Sequence, residues 1–172
     1  MAKVLYIAEG EIEGRFINFL KQADLIQTGR FKKFNLMQNQ LKDNSNILEQ
    51  RFDDIYCILD TDLAAPDNID NLVFNLKKLA GIHPKSVSCL VQNKNFEDEL
   101  KFLLDCSDLG KFFKLPHNTT KDLKTYLAQS VNYEKFISKK NLIRYCKRFE
   151  SFAEKVQSVS QIRIVSVEKC MI

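Results

Sequence analysis

The chain has 172 residues, of which 45% are hydrophobic and 28% are charged. This length suits one domain, and the apolar content is too high for a disordered chain. No apolar run is long enough to cross a bilayer, and no signal peptide is evident. Five scattered cysteines without a CxxC pair favour reduced thiols in a cytoplasmic protein over a disulfide framework or a zinc site.

Charge is divided unevenly along the chain, whose formal net charge is +4. Residues 1–100 carry 12 basic and 15 acidic side chains, whereas residues 101–172 carry 14 basic and 7 acidic ones. An acidic half joined to a basic half suits a metal-dependent enzyme that acts on a polyanion. A solvated helical surface would show the same imbalance.

Apolar spacing predicts alternating strands and helices up to about residue 105. This alternation predicts an α/β fold with a mostly parallel sheet that is covered by helices on both sides. The predicted strands are 3–8, 32–36, 54–60 and 87–91, and the predicted helices are 11–25, 38–50, 69–80 and 96–105.

The pattern after residue 116 is helical and basic. Helices are predicted at 120–129, 133–138 and 141–156, and the apolar run 162–167 is expected to be an edge strand or a packed tail. We therefore expect a single domain over residues 1–172, with a core at about 1–115 and a helical C-terminal extension at about 116–172.

Acidic residues follow two of the predicted strands at the point where each strand ends. Glu9 and Gly10 come directly after the first strand, whereas Asp60 and Asp62 end the third. Ligands of open α/β sheets bind outside the carboxyl ends of the parallel strands. Three carboxylates that meet there repel one another unless they are protonated or bound to a cation, and oxygen ligands favour Mg²⁺ or Mn²⁺. We therefore expect a divalent-metal site, although each acid alone also fits ordinary turn or capping chemistry.

The order of these motifs resembles that of the Toprim domain. Glu9-Gly10 ends a first strand, a helix follows, and Asp60-Thr61-Asp62 ends a later strand. The Toprim domain is shared by type IA and type II topoisomerases, bacterial primases, OLD-family nucleases and small ribonucleases that mature ribosomal RNA. The resemblance covers roughly residues 3–105 and implies a single Toprim-like domain.

Two further segments resemble the RloB-like branch of OLD-type Toprim proteins. EGEIEGRFINFL is similar to the EG-x-x-E start of that family, in which an acid one turn into the helix supports a second metal; here this acid is Glu13. QNKNFEDELKFLL is similar to the family's Asn-x-x-Phe-Glu helix start and matches Asn93, Phe96 and Glu97. The resemblance implies that Glu97 supports the same second metal.

One later segment of the chain matches the family, and one position differs from it. NYEKF resembles the family's Tyr-x-Lys and matches Tyr133 and Lys135. The family has an apolar residue and a Trp soon after the helix-start Glu, where this chain has charged residues. The choice between Glu97 and Glu99 as the site acid therefore stays open.

The resemblance implies a divalent-metal-dependent nuclease that cleaves phosphodiester bonds in DNA or RNA and acts in anti-phage defence. Glu9, Asp60 and Asp62 would hold a catalytic Mg²⁺ or Mn²⁺, with Glu9 as an alternative general acid or base. Lys135 would stabilise negative charge on the reacting phosphate.

Three of these residues also have an ordinary structural interpretation. Glu13 suits a first-turn acid that complements the helix dipole. Glu97 and Lys101 have the spacing of a surface ion pair at i and i+4. Lys135 is equally compatible with a solvated surface position.

Basic and aromatic residues alternate in the segment KFISKKNLIRYCKRF. A helix would bring most of the basic residues near one side, which could follow a phosphate backbone, although a plain amphipathic helix has the same pattern. The expected nucleic-acid contacts are Lys139, Lys140, Arg144, Lys147 and Arg148.

Two other functions stay open alongside the nuclease. The first is a Toprim-like module that binds nucleic acid or a protein without catalysis. The second is a phosphotransferase or a receiver-like phosphoacceptor domain, which would need a Lys at the end of a later strand. A homodimer or a defence-system partner protein is a further expectation, because thirteen Phe in this chain suit a dimer face as well as a dense core.

Overall fold

A computed structural model gives the fold of the chain. It describes residues 3–24, 26–60, 62, 65–82, 87–92, 94–117, 119–129, 131–137 and 163–164.

The described residues form five strands, six α-helices and one short 3₁₀ turn. The strands are β1 (Val4–Ala8), β2 (Arg30–Lys33), β3 (Asp54–Asp60), β4 (Val87–Gln92) and β5 (Arg163–Ile164). The helices are α1 (Glu11–Gln22), α2 (Asn46–Glu49), α3 (Pro66–Ile82), α4 (Phe96–Leu104), α5 (Leu109–Phe112) and α6 (Thr120–Gln129), and the 3₁₀ turn is Tyr133–Lys135.

All five strands are parallel and lie in one sheet in the order β2-β1-β3-β4-β5. This arrangement confirms the predicted α/β fold with a parallel sheet. The chain leaves β1 towards β2 on one side and later continues through β3 on the other side. The carboxyl ends of β1 and β3 therefore flank the topological switch point, where ligands of open α/β sheets bind.

The sheet separates two apolar cores, because successive side chains of a strand point to opposite faces. On one face, Val4 and Tyr6 of β1 pack with α1, α4 and α6. On the other face, Leu5 and Ile7 pack with α3 and with the segment between β2 and β3. Leu127 of α6 is fully buried in the first core, so this helix is part of the domain's packing.

The predicted helix at residues 38–50 is wrong. Most of this segment forms turns, and only Asn46–Glu49 is helical, with the Ser45 hydroxyl accepting a hydrogen bond from the N–H of Ile47. Residues 38–45 are rich in Asn, Gln, Asp and Ser, whose side chains compete with backbone hydrogen bonds in a helix. The apolar residues of this segment are still buried, but from turns.

A buried asparagine of α3 holds these turns in place. The Asn75 side chain is fully buried, and its Oδ1 accepts a hydrogen bond of 2.7 Å from the N–H of Leu41. Its Nδ2 donates bonds of 2.7 Å to the carbonyls of Leu36 and Asn39. One side chain therefore satisfies three backbone groups that lie outside regular secondary structure.

Other boundaries differ less from the predictions. The second strand begins and ends earlier than predicted, α3 starts earlier, at a proline that suits the first helical turn, and the 3₁₀ turn replaces a helix predicted at 133–138. The short strand β5 pairs with β4 at the edge of the sheet, as expected for an edge strand at 162–167. The helix predicted at 141–156 lies outside the described residues.

Of the helices that the structure describes, none combines the length and the apolar character that a bilayer span requires.

We expect Asn75→Ala to lower the free energy of unfolding by about 2–3 kcal/mol, because it leaves three backbone groups without their partner. Chemical denaturation of the purified protein measures this change. Asn71→Ala on the same helix is the matched control, since among the described residues Asn71 bonds the exposed Gln40 side chain and no backbone group. We expect it to cost less than about 0.5 kcal/mol. Equal losses in both variants would contradict this role of Asn75.

Candidate metal and phosphate site

The acids at the ends of β1 and β3 leave the sheet at the same edge. The two strands pair in parallel with Ile7 opposite Cys57, and Glu9 and Asp60 follow a few residues further along each strand. Parallel pairing thus brings together carboxylates that lie far apart in the sequence. The expected proximity of the two motifs rests on this strand pairing.

A cleft of about 470 Å³ opens at this edge, between the start of α1, the start of α4 and one side of α6. Every acid that the sequence predicted as a metal ligand lines this cleft. The lining includes Glu9, Glu13, Asp60, Asp62 and Glu97, together with Gly10, Asn95, Lys101, Thr120 and Lys124.

The start of α1 places Glu13 against Gly10. A Cβ added to Gly10 would lie only 2.5 Å from Glu13 Oε2, so the carboxyl group occupies the space above the glycine. Gly10 is the N-cap residue of α1 and has no side chain to bond the first turn. The buried Glu13 carboxyl bonds its own backbone N–H instead. Glu13 therefore both complements the helix start and lines the cleft.

Asn95 joins the start of α4 to the acid after β3. Its Oδ1 accepts a hydrogen bond of 3.0 Å from the N–H of Asp98, which caps the helix. Its Nδ2 donates a bond of 3.3 Å to Asp62 Oδ2. The backbone N–H of Asp62 also donates to the carbonyl of Lys94 at 3.0 Å. These contacts fix Asp62 relative to α4.

Glu97 pairs with a lysine of α6 across the cleft. Lys124 Nζ lies 3.6 Å from Glu97 Oε1, whereas Lys101 pairs with Asp98 at 2.8 Å. The predicted surface pair of Glu97 with Lys101 is therefore not formed. Glu99 is 1% exposed and does not line the cleft, so Glu97 is the acid of α4 that faces it.

Burial and crowding raise the pKa of three acids of this cleft, namely Glu9, Glu13 and Asp60. Burial raises the pKa of Asp60 from 3.8 to about 8, and repulsion from Glu13, Glu9, Asp62 and Glu97 adds to the increase. Burial also raises the pKa of Glu9, with a further contribution from Asp62 and an opposing one from Lys124. The pKa of Glu13 rises for the same main reason. In the absence of a bound cation, the cleft therefore retains protons near neutral pH.

The donor set suits a hard divalent cation, although its side chains hold other partners. In the described part of the chain, no three acidic, thiol or imidazole groups are arranged together as metal ligands. Two of the acids in the cleft already have protein partners, because Asp62 accepts from Asn95 and Glu97 pairs with Lys124. Partly buried carboxylates that repel one another are the ligands that Mg²⁺ or Mn²⁺ would neutralise. A metal held through Glu97 or through Asp62 Oδ2 would replace one of these two contacts.

The other residues that the family motifs and the basic segment predicted at the site either do not line the cleft or are not among the described residues. Lys135 is exposed on the 3₁₀ turn and does not line the cleft. Tyr133 is buried, and its ring packs against Phe16 and Phe19. Asn93 and the basic residues at 139, 140, 144, 147 and 148 are not among the described residues.

Sequence reasoning missed Lys124 and Asn95. Lys124 looks like an ordinary exposed lysine of an amphipathic helix, and only the packing of α6 beside α1 brings it over the acids. Asn95 could have been found, because an asparagine directly before a predicted helix is a typical N-cap.

Comparison of the chain with protein-family models, curated proteins and solved structures gives no match.

We expect Asp60→Asn to stabilise the protein without added metal by an amount that grows as the pH rises from about 5 to 8. Between pH 3.8 and about 8, folded Asp60 keeps a proton that the unfolded chain has released, so wild-type stability falls with rising pH. Asparagine carries no such penalty, and the gain reaches on the order of 2 kcal/mol at pH 8.

Thermal denaturation in EDTA across this pH range measures the difference between the two proteins. Asp70→Asn, which changes an exposed acid of α3, is the control and keeps the wild-type pH profile. A gain from Asp60→Asn that is constant with pH would contradict the buried, protonated state of Asp60.

Proposed function

We propose that the protein is a divalent-metal-dependent nuclease of the Toprim type that cleaves phosphodiester bonds in DNA or RNA. The observation that carries the proposal is the gathering of five carboxylates from four chain segments in one cleft at the switch point of the sheet. Structural acids are usually paired with cations or exposed. In this cleft four of the five acids are partly or fully buried, and among the described residues only Glu97 pairs with a lysine. We place this activity in phage defence by resemblance to the RloB-like family.

The strand arrangement and the motifs support this proposal together. A parallel sheet flanked by helices is compatible with a Toprim-like fold, and Glu9, Asp60 and Asp62 lie at its carboxyl edge. Glu13 and Glu97, which the resemblance assigns to a second metal, face the same cleft. The motifs that suggested the family are thus neighbours in space.

In this proposal Glu9, Asp60 and Asp62 hold the first metal, and Glu13 and Glu97 support a second. A bound Mg²⁺ or Mn²⁺ would supply charge neutralisation at the phosphate and a more acidic water molecule. Glu9 can alternatively exchange a proton with the attacking water or the leaving oxygen, because burial raises its pKa towards neutrality.

Lys124 takes the phosphate-stabilising role that the resemblance gives to Lys135. Its ammonium group faces the cleft and lowers the pKa of both Glu9 and Glu13, so it lies within electrostatic range of the acids. Its side chain is 60% exposed, which leaves it accessible to a substrate. When a metal occupies the acids, Lys124 is free to contact a phosphate oxygen.

The two other functions remain testable against the nuclease. A receiver-like phosphoacceptor domain shares the strand order and an acid after β3. It also needs a lysine from a later strand end at the site, but Lys94, which follows β4, does not line the cleft. A non-catalytic binding module would keep the cleft and tolerate loss of its acids. The nuclease proposal also includes nucleic-acid contacts by Lys139, Lys140, Arg144, Lys147 and Arg148. It further includes a homodimer or a defence-system partner protein.

We expect the purified protein to cleave plasmid, single-stranded DNA or tRNA with Mg²⁺ or Mn²⁺ and not with EDTA. Asp60→Asn/Asp62→Asn removes two ligands and should lower the rate at least about 100-fold, whereas Asp70→Asn should retain it. Gel analysis of labelled substrates gives the rates. Cleavage that survives chelation and the double substitution would contradict a metal-dependent site at the switch point.

We expect Lys124→Ala to lower kcat about 100-fold, because it removes a cation that stabilises charge on the phosphate. It should also tighten Mn²⁺ binding several-fold in calorimetry, because Lys124 no longer competes for the acids. Lys121→Ala, on an exposed position of the same helix, should change neither value. Loss of activity in Lys135→Ala but not in Lys124→Ala would show that Lys135, and not Lys124, stabilises charge on the phosphate.

A further inference from the structure

A second polar depression lies along α1, whose first residues line the acid cleft. It has a volume of about 450 Å³ and is formed by one side of α1 and by residues 131–133, which follow α6. Arg15, Asn18 and Gln22 face it from successive turns of α1, and Asn132 faces it from the opposite wall. We call this feature the amide groove.

The charge of the amide groove is opposite to that of the acid cleft. No acidic side chain is among the described residues that line it. Arg15 uses one of its five N–H donors on the carbonyl of Ala128 and forms no ion pair with the described acids. The groove therefore presents positive charge beside three side-chain amides, each of which can donate and accept hydrogen bonds.

The floor of the amide groove holds a buried hydroxyl group. Tyr133 is 4% exposed, and no group of the described residues forms a hydrogen bond with its hydroxyl. Its ring is fixed by Phe16 and Phe19, with ring centroids 5.3 and 5.6 Å away. A buried hydroxyl without a partner costs about 1–3 kcal/mol, so such a group is usually satisfied by a ligand or a water molecule.

The amide groove and the acid cleft are neighbours through Tyr133 and α1. Burial raises the pKa of Tyr133, and Glu13 and Glu97 of the acid cleft raise it further while Arg15 of the groove opposes them. Glu11, which lines the acid cleft, lies one helical turn before Arg15 on the same side of α1. A polymer whose phosphate occupies the acid cleft can therefore continue along α1 into the groove.

We propose that the amide groove binds an unpaired nucleotide next to the phosphate at the acid cleft, so that the substrate is single-stranded. This inference takes its ligand class, nucleic acid, from the proposed function. Arg15 binds a phosphate, and Asn18 and Gln22 bond the edge of the base, since amides match the donors and acceptors of bases. The groove has the volume of a small-ligand pocket, which suits a single nucleotide better than a duplex.

Fluorescence anisotropy of the full chain in EDTA tests the amide groove without catalysis or metal. The probes are a labelled unstructured oligonucleotide, as DNA and as RNA, and a duplex of the same sequence. We expect the single strands to bind at least about tenfold more tightly than the duplex, and Asn18→Ala/Gln22→Ala to weaken single-strand binding about tenfold. Alanine favours helix, so this exposed double variant should keep α1 folded.

Two single variants act as controls for the groove. Gln38→Ala removes an exposed amide on the other side of the sheet and should bind like the wild type. Tyr133→Phe keeps the ring contacts but removes the hydroxyl, so it should raise the melting temperature and still weaken single-strand binding. A purely structural tyrosine would raise the melting temperature without changing binding.

The outcomes separate this inference from the nuclease proposal. Unchanged binding by the groove variants, or equal affinity for duplex and single strand, would overturn the inference even if metal-dependent cleavage is observed. Single-strand binding that depends on the groove, without cleavage in Mg²⁺ or Mn²⁺, would support the inference and favour the binding module over the nuclease.

Discussion

Repulsion among carboxylates at the carboxyl edge of the sheet is the constraint on which the rest of this structure depends. Parallel pairing of β1 with β3 brings Glu9 and Asp60 together, and the starts of α1 and α4 add Glu13 and Glu97. Burial, with a smaller contribution from repulsion between the acids, raises the pKa of Glu9, Glu13 and Asp60, and the pKa of Asp60 reaches about 8. A fold selected for stability alone would have little reason to keep them there.

The surrounding residues reduce the repulsion between these carboxylates but do not abolish it. Gly10 leaves space for the Glu13 carboxyl, Asn95 bonds Asp62, and Lys124 pairs with Glu97. Asn95 is a neutral hydrogen-bond donor and Lys124 is a single cation. A metal ion can replace either group as the partner of its carboxylate. Among the described residues, the acids share a cleft without being arranged as a finished set of three ligands. We propose that Asn95 and Lys124 hold these acids until a metal ion and a phosphate bind together.

In the proposed function, the acid cleft and the amide groove divide one substrate between them. The cleft has an excess of acids and suits a phosphate that brings its own cations, whereas the groove has an arginine and amides that suit a phosphate and a base. Both lie along α1, which begins with acids and continues with Arg15, Asn18 and Gln22. The polarity of this one helix thus orders the contacts along a bound strand.

The sequence predicted those features that depend on local patterns and failed where tertiary contacts decide. Alternating apolar runs predicted all four longer strands and α1, α3 and α4, and acids after β1 and β3 predicted the cleft, because parallel strands end at one edge. The helix at 38–50 was wrong, since a long-range contact from Asn75 holds turns there.

The identity of the lysine at the cleft also depends on tertiary packing and could not be predicted from the local sequence. Lys135 matched a motif, but the packing of α6 places Lys124 over the acids, and nothing local distinguishes these two exposed lysines.

Proton release on metal binding tests the central claim most directly. Calorimetric titration of the protein with Mn²⁺ at pH 7, in two buffers that differ in ionisation enthalpy, counts the protons released per ion bound. Because Asp60 has a pKa of about 8 in the metal-free cleft, we predict that binding of one Mn²⁺ releases about one proton, and that Asp60→Asn loses both the release and most of the affinity. Binding without proton release, or unchanged binding by Asp60→Asn, would contradict a cation held by the acids of β1 and β3.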